Sequence, residues 1–307
     1  MAETLQIGVA RGTELARSTE LIGAIQIARD TEVRQSPNGV RFATFGETGV
    51  ADLDLDRMLG AVPTAITAAL NANTYYFVPL ALREEAQLLD APAKPSEPAM
   101  VASAYTDEFG DAAICHRNVE LGHGKRGVFI STRLMGDRFA LSFEFFINVA
   151  HAFVDQVGVP QSFSDLVWKQ AQDNVRGETS LDAWESRNLA FGRAADAQPE
   201  SSLPSSRRSR GFAPSRSFSS GSVVTIAASA APVIDEKERN AYIAAAFSDS
   251  VAMYLLSLAL DFDYSELRER EYPLLAPAAL AARLRLVAEL FPSNAGYEFA
   301  VRYRRRA

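Results

Sequence analysis

Residues 143–159, Phe-Glu-Phe-Phe-Ile-Asn-Val-Ala-His-Ala-Phe-Val-Asp-Gln-Val-Gly-Val, form the most apolar run in the middle of the chain and carry one of its three histidines. A run this apolar is stable only when buried, so the fold must supply a core around it. Helical spacing extends from residue 138 to residue 156 and is stopped by Gly158 and Pro160. His151 and Asp155, four apart, then sit one turn apart on one face. A helix with that pair looks like a metal-binding helix with pieces missing, and the question is what the rest of the chain supplies.

A length of 307 residues at 48% hydrophobic content allows a large core and suggests one large or two small domains. The net charge of −7 gives no general affinity for nucleic acid. Basic residues cluster in Ser205-Ser206-Arg207-Arg208-Ser209-Arg210 and in the tail Arg302-Tyr303-Arg304-Arg305-Arg306. A single cysteine, Cys115, excludes an intramolecular disulfide. The first residues lack the basic and apolar regions of a secretory signal, and no run elsewhere approaches the ~20 apolar residues of a membrane span. The expectation is a cytoplasmic protein, bacterial in its Ala- and Arg-rich usage, with no nucleic-acid or membrane partner.

Before the organising run, β-type stretches fall at residues 5–9, 32–34 and 40–45, with Asn38-Gly39 as a hairpin signal and a short helix at 19–28. Residues 52–71 have a helical stripe that Pro63 kinks or splits. A strand follows at 74–79, a short helix at 80–89, a proline-rich connector at 91–98, and strands at 100–105, 112–116 and 127–132, with a turn at 107–111. After the run, helices are predicted at 162–175 with Ser162 as N-cap, 182–190, 235–260, 266–272 and 277–290. Residues 194–232 change to Ser, Pro, Ala, Gly and Arg, a composition with too little apolar area to offset the entropy of ordering. They read as a disordered insertion, or as a basic arm that folds over an acidic partner.

Zincin metallopeptidases carry His-Glu-x-x-His on a helix, two imidazoles holding zinc while the glutamate serves as general base. The corresponding pentad here is His151-Ala152-Phe153-Val154-Asp155. It is followed by Ser162-Phe163-Ser164-Asp165-Leu166-Val167-Trp168, and later by Tyr242-Ile243-Ala244-Ala245-Ala246-Phe247-Ser248-Asp249. In this order the chain resembles the catalytic domain of the anthrax lethal factor type of peptidase, a gluzincin family whose later helix supplies the third ligand from a sequence like Phe-Phe-Ala-Glu-Ala-Phe-Ala-x-Tyr. The likeness covers roughly residues 127–290 and leaves residues 1–99 outside it. It implies an α+β fold: a zincin-like mixed sheet with an active-site-type helix and a C-terminal helical subdomain, preceded by a small α/β N-terminal region. The expected domains are an N-terminal α+β region, residues 1–99, separate or packed as part of one domain; 100–193 with 233–300; the insertion 194–232; and a basic tail, 301–307.

The departures bear on the chemistry. Ala152 stands at the position of the base and Ala245 at that of the third ligand, leaving one imidazole and at best one carboxylate, whereas a catalytic zinc needs three protein ligands and an open position. The resemblance therefore implies a pseudo-metallopeptidase with no cofactor and no catalytic residue. Its cleft would bind a peptide or extended protein segment through an edge strand, Val128, Phe129, Ile130, Ser131 and Thr132, with His151 and Asp155 lining it. Such a protein could present a precursor peptide to a modifying enzyme in a natural-product pathway. The alternative is a metal-dependent hydrolase rebuilt from His116, His123, His151 and Asp155. A structural protein with a filled cleft is a third class. Cys115 and His116, adjacent on a strand, would point to opposite faces, and Glu144 and Asp155 lie about 16 Å apart along a helix, too far to act as a dyad.

Overall fold

The computed structural model describes residues 20–83, 99–194, 234–267 and 272–302. The strand expected at 5–9, the connector at 91–98, the insertion up to residue 232 beyond its first residue, and most of the basic tail lie outside the described residues. The fold is α+β. It has two compact units: one takes the described residues up to Gly60 and Asn71–Phe145, the other Ala61–Leu70 and the residues from Phe146 onward. The division falls inside the organising helix, between Phe145 and Phe146.

In chain order, β1 (Leu21–Gly23) runs into α1 (Ala24–Asp30), and β2 (Arg34–Gln35) and β3 (Arg41–Thr44) form the hairpin signalled by Asn38-Gly39. The next helix splits at Pro63 into α2 (Asp52–Gly60) and α3 (Thr64–Thr67). Strands β4 (Asn73–Val78) and β5 (Leu80–Leu82) follow, separated by Pro79, so the helix expected from residue 80 begins instead as a strand. After β6 (Met100–Ala102) and a 3-10 turn at Asp107–Ala112 come β7 (Ala113–Ile114), β8 (His116–Gly122) and β9 (Lys125–Ser131). Residues 118–122, ahead of the strand expected at 127–132, belong to β8. Helix α4 spans Arg138–Val157.

All nine strands among the described residues belong to the first unit. One sheet has the order β1-β6-β5-β7 and is antiparallel; the other has the order β2-β3-β4-β9-β8, with β3, β4 and β9 parallel and the outer strands antiparallel. Every residue of β4 is buried, as expected of an interior strand covered on both faces. On one face Tyr76 stacks on Phe129 at 4.6 Å, and Ala24 and Ile27 of α1 join the same cluster. On the other face the Tyr75 ring meets Phe145 of α4 edge-on at 5.1 Å.

The two sheets meet where the runs 73–82 and 113–122 bend, at Pro79 and Cys115. Ser131, 0% exposed, fills that corner. Its hydroxyl accepts from the Ala81 N–H at 2.7 Å and donates to the Ile114 carbonyl at 2.5 Å. Its own N–H donates to the Cys115 carbonyl at 2.9 Å. Thr132 next to it donates its N–H to Val78 and its hydroxyl to Thr48.

The second unit is helical: α5 (Gln161–Gln172), α6 (Leu181–Ala190), α7 (Glu236–Ala259) and α8 (Pro277–Leu290), with α3 and the rest of α4. Helix α5 begins after Pro160, not at a Ser162 cap. Ser180 caps α6 and Asp235 caps α7, each accepting from backbone N–H groups of the first turn. Contrary to the sequence expectation, α7 is long and apolar enough to cross a membrane by length and composition, but 72% of its apolar window is buried within the fold. Phe247 of α7 packs against Phe163 of α5 at 4.7 Å. The Asp235 N–H at the start of α7 donates to the Ala190 carbonyl at the end of α6 at 3.1 Å. Beside that bond Trp168 and Phe191 stack, with Arg239 over Trp168 and Arg193 over Phe191.

A charged cluster lies inside this unit. Glu178 and Arg283 are both 0% exposed. Glu178 accepts from Arg187 at 3.0 Å, from the Tyr242 hydroxyl at 2.7 Å and from Arg283 at 2.9 Å, and Gln170 accepts from Arg283 Nε at 2.8 Å. Burial is the main reason the Tyr242 hydroxyl is held well above its ordinary pKa, so it stays a donor. Removing the Glu178 charge leaves two guanidinium groups without their anion. Glu178→Gln is expected to cost about 3–5 kcal/mol in urea unfolding; a loss under about 1 kcal/mol would show that the cluster does not hold the helices together.

Candidate functional site

The expected edge strand is not at an edge. Strand β9 pairs with β4 from Asn73↔Arg126 to Val78↔Ser131 on one side and with β8 from His116↔Ile130 to Gly122↔Lys125 on the other. Val128, Phe129, Ile130 and Ser131 are buried, as is Thr132 just beyond the strand, so none of the five is placed to pair with an incoming backbone. The apolar run Val128-Phe129-Ile130 is the signature of a strand covered on both faces.

The edge belongs to β8. Among the described residues it has a strand neighbour on one side only. Antiparallel pairing alternates bonded and non-bonded pairs, and the Ser131 N–H donates to the Cys115 carbonyl. Residues 115, 117 and 119 therefore turn their N–H and C=O groups toward β9, while His116, Asn118 and Glu120 turn theirs outward. This stretch gives three outward donor–acceptor pairs over roughly 14 Å.

His116 opens this strand, and the first half of α4 holds its side chain. His116 Nδ1 lies 2.5 Å from Glu144 Oε1. A carboxylate oxygen accepts, so the ring proton sits on Nδ1 and Nε2 is the nitrogen left facing away. The histidine side chain is 38% exposed and Glu144 16%. A signal for this pair was present, since Glu144 interrupts an otherwise apolar stretch between Phe143 and Phe145, and a half-buried carboxylate needs a donor.

The other expected site residues are dispersed. His123 is at the tip of the β8–β9 hairpin with φ 52°, between Gly122 and Gly124, which also have positive φ. It is at the far end of β8 from His116, roughly 20 Å along the strand, so these two cannot share a metal whose bonds are ~2 Å long. The described residues contain no group of three His, Cys, Asp or Glu side chains placed to hold a metal ion. His151 and Asp155 are exposed on the half of α4 that belongs to the second unit, whereas Ala152 is buried there. Ala245 is partly buried on α7.

One turn beyond Ala245, Asp249 accepts a hydrogen bond from the Thr179 hydroxyl at 2.7 Å. Burial pushes its carboxyl up to about 6, while hydrogen bonds from Ser180 and Thr179 and the charge of Arg283 act in the opposite direction. No protein-family model matches the chain, and no curated protein or solved structure matches it significantly.

A carboxyl raised from 3.8 to about 6 binds its proton more tightly in the folded than in the unfolded chain. Its contribution to stability is therefore complete below about pH 4 and is lost as pH rises through 6. Asp249→Asn keeps an acceptor for Thr179 and removes the titration. Relative to the wild type, the variant is expected to gain about 2 kcal/mol between pH 4 and pH 7 in urea unfolding. An unchanged difference between those pH values would show that Asp249 titrates as an ordinary surface carboxyl.

Proposed function

We propose that this chain binds an extended peptide or protein segment without cleaving it, by letting the segment add as a strand to β8. The observation that carries this reading is the outward row of backbone groups at His116, Asn118 and Glu120, beside a helix whose Glu144 holds His116. Main-chain hydrogen bonds would supply affinity and the flanking side chains selectivity. The gluzincin resemblance supports the reading, with Ala152 and Ala245 where the base and third ligand would stand. Presentation of the segment to a modifying enzyme, as in a peptide natural-product pathway, is the role such binding would serve, and the single Cys115 suits a reducing cytoplasm.

Proline at an outward-facing position deletes one edge donor and leaves the ladder to β9 intact, whereas proline at an inward-facing one breaks that ladder. With a fluorescein-labelled alternating Thr-Val heptapeptide as probe, Asn118→Pro is expected to lose at least about tenfold in affinity while unfolding within ~1 kcal/mol of the wild type. Val119→Pro is expected to destabilise the unit itself. Wild-type affinity in Asn118→Pro would rule out pairing at β8.

A further inference from the structure

If β8 receives a strand, the side chains the newcomer meets are fixed by register, so this inference rests on the edge-pairing reading. Asn118 lies opposite Val128 and Glu120 opposite Arg126, on the face where His116 reaches Glu144 of α4. Arg117 and Val119 point to the other face, where Val119 and Leu121 pack, half-buried, against the cluster that contains Ala24 and Ile27 of α1. The two faces of the edge differ in chemistry.

The α4 face offers acceptors. His116 donates its Nδ1–H to Glu144, and Nε2 is the ring nitrogen left toward a newcomer. Glu120 is 70% exposed, and among the described residues its ion pair is a 3.3 Å contact with Arg126, itself at the surface. Two carboxylates, Glu120 and Glu144, stand on this face, the first beside Arg126 and the second beside His116. The α1 face offers aliphatic surface at Val119 and Leu121, backed by a packed core.

Residues directly opposite across a strand pair interact, opposite charges favourably and like charges unfavourably. We propose that the segment recognised by β8 alternates in character: side chains that donate hydrogen bonds, hydroxyl or cationic, on the α4 face, and aliphatic side chains on the α1 face. The occupant is an extended partner segment of that pattern. A segment with carboxylates on the α4 face is rejected by Glu120 and Glu144.

Fluorescence polarisation with the full chain tests this with four labelled heptapeptides: alternating Val-Thr, alternating Val-Lys, alternating Val-Glu, and a blocked sequence with the composition of the Val-Lys peptide. The expected result is that Val-Thr and Val-Lys bind at least about tenfold more tightly than Val-Glu and than the blocked sequence. Glu120→Lys, a change at an exposed rim position, is expected to narrow or reverse the preference of Val-Lys over Val-Glu. Equal affinity for all four peptides, or an unchanged preference in Glu120→Lys, overturns the selectivity argued here while leaving strand addition standing. Binding of none of the four overturns strand addition at β8, and this inference with it.

Discussion

The Ser131 hydroxyl is the point on which the first unit turns. Two strand runs serve both sheets, and where they bend a ladder hydrogen bond would be lost on each, at the Ala81 N–H and the Ile114 carbonyl. A buried backbone group without a partner costs about 1–3 kcal/mol. One hydroxyl that donates and accepts at the same corner removes both losses. Because Ser131 is also the last residue of β9, this corner ties β9 between β4 and β8 and leaves β8 on the outside. The position of His116, the first residue past the bend, follows from it.

Local elements were legible in the sequence where punctuation was strong. Pro277 at the first position of α8, Asp235 before α7, Pro63 between α2 and α3, and Asn38-Gly39 in the first hairpin all mark boundaries that the structure places there. Leu80–Leu82 misled because Leu and Ala favour helix and only the pairing with β6 and β7 makes them a strand. Strand order was harder still, because propensity gives the type of a segment and not its neighbours. A usable hint existed in the contrast between β9, apolar without interruption at Val128, Phe129 and Ile130, and β8, where exposed Asn118 and Glu120 alternate with half-buried Val119 and Leu121. An unbroken run points to the middle of a sheet and alternation to its rim.

The helical unit carries its information differently. Glu178, Arg187, Tyr242 and Arg283 are spread over more than a hundred residues, as the 105-residue separation of the Glu178–Arg283 pair shows. No window of local periodicity contains them together. Each reads as an ordinary surface charge or a helix aromatic until the fold assembles them. The one imidazole of the resemblance, His151, had the opposite fate: prominent in the sequence because it interrupts an apolar run, it is exposed on the helix.

The bond from Asp235 to Ala190, braced by the stacked Trp168 and Phe191, has a further meaning for how this chain can change. Departure and return occur at one spot, closed by residues of the helices themselves. The free energy of closing a loop grows only with the logarithm of its length, about 0.6 kcal/mol per doubling. Residues 195–233 fall, in sequence, between the two halves of this clasp. Their number and composition can drift over generations while the clasp, and the helices that make it, keep the same form.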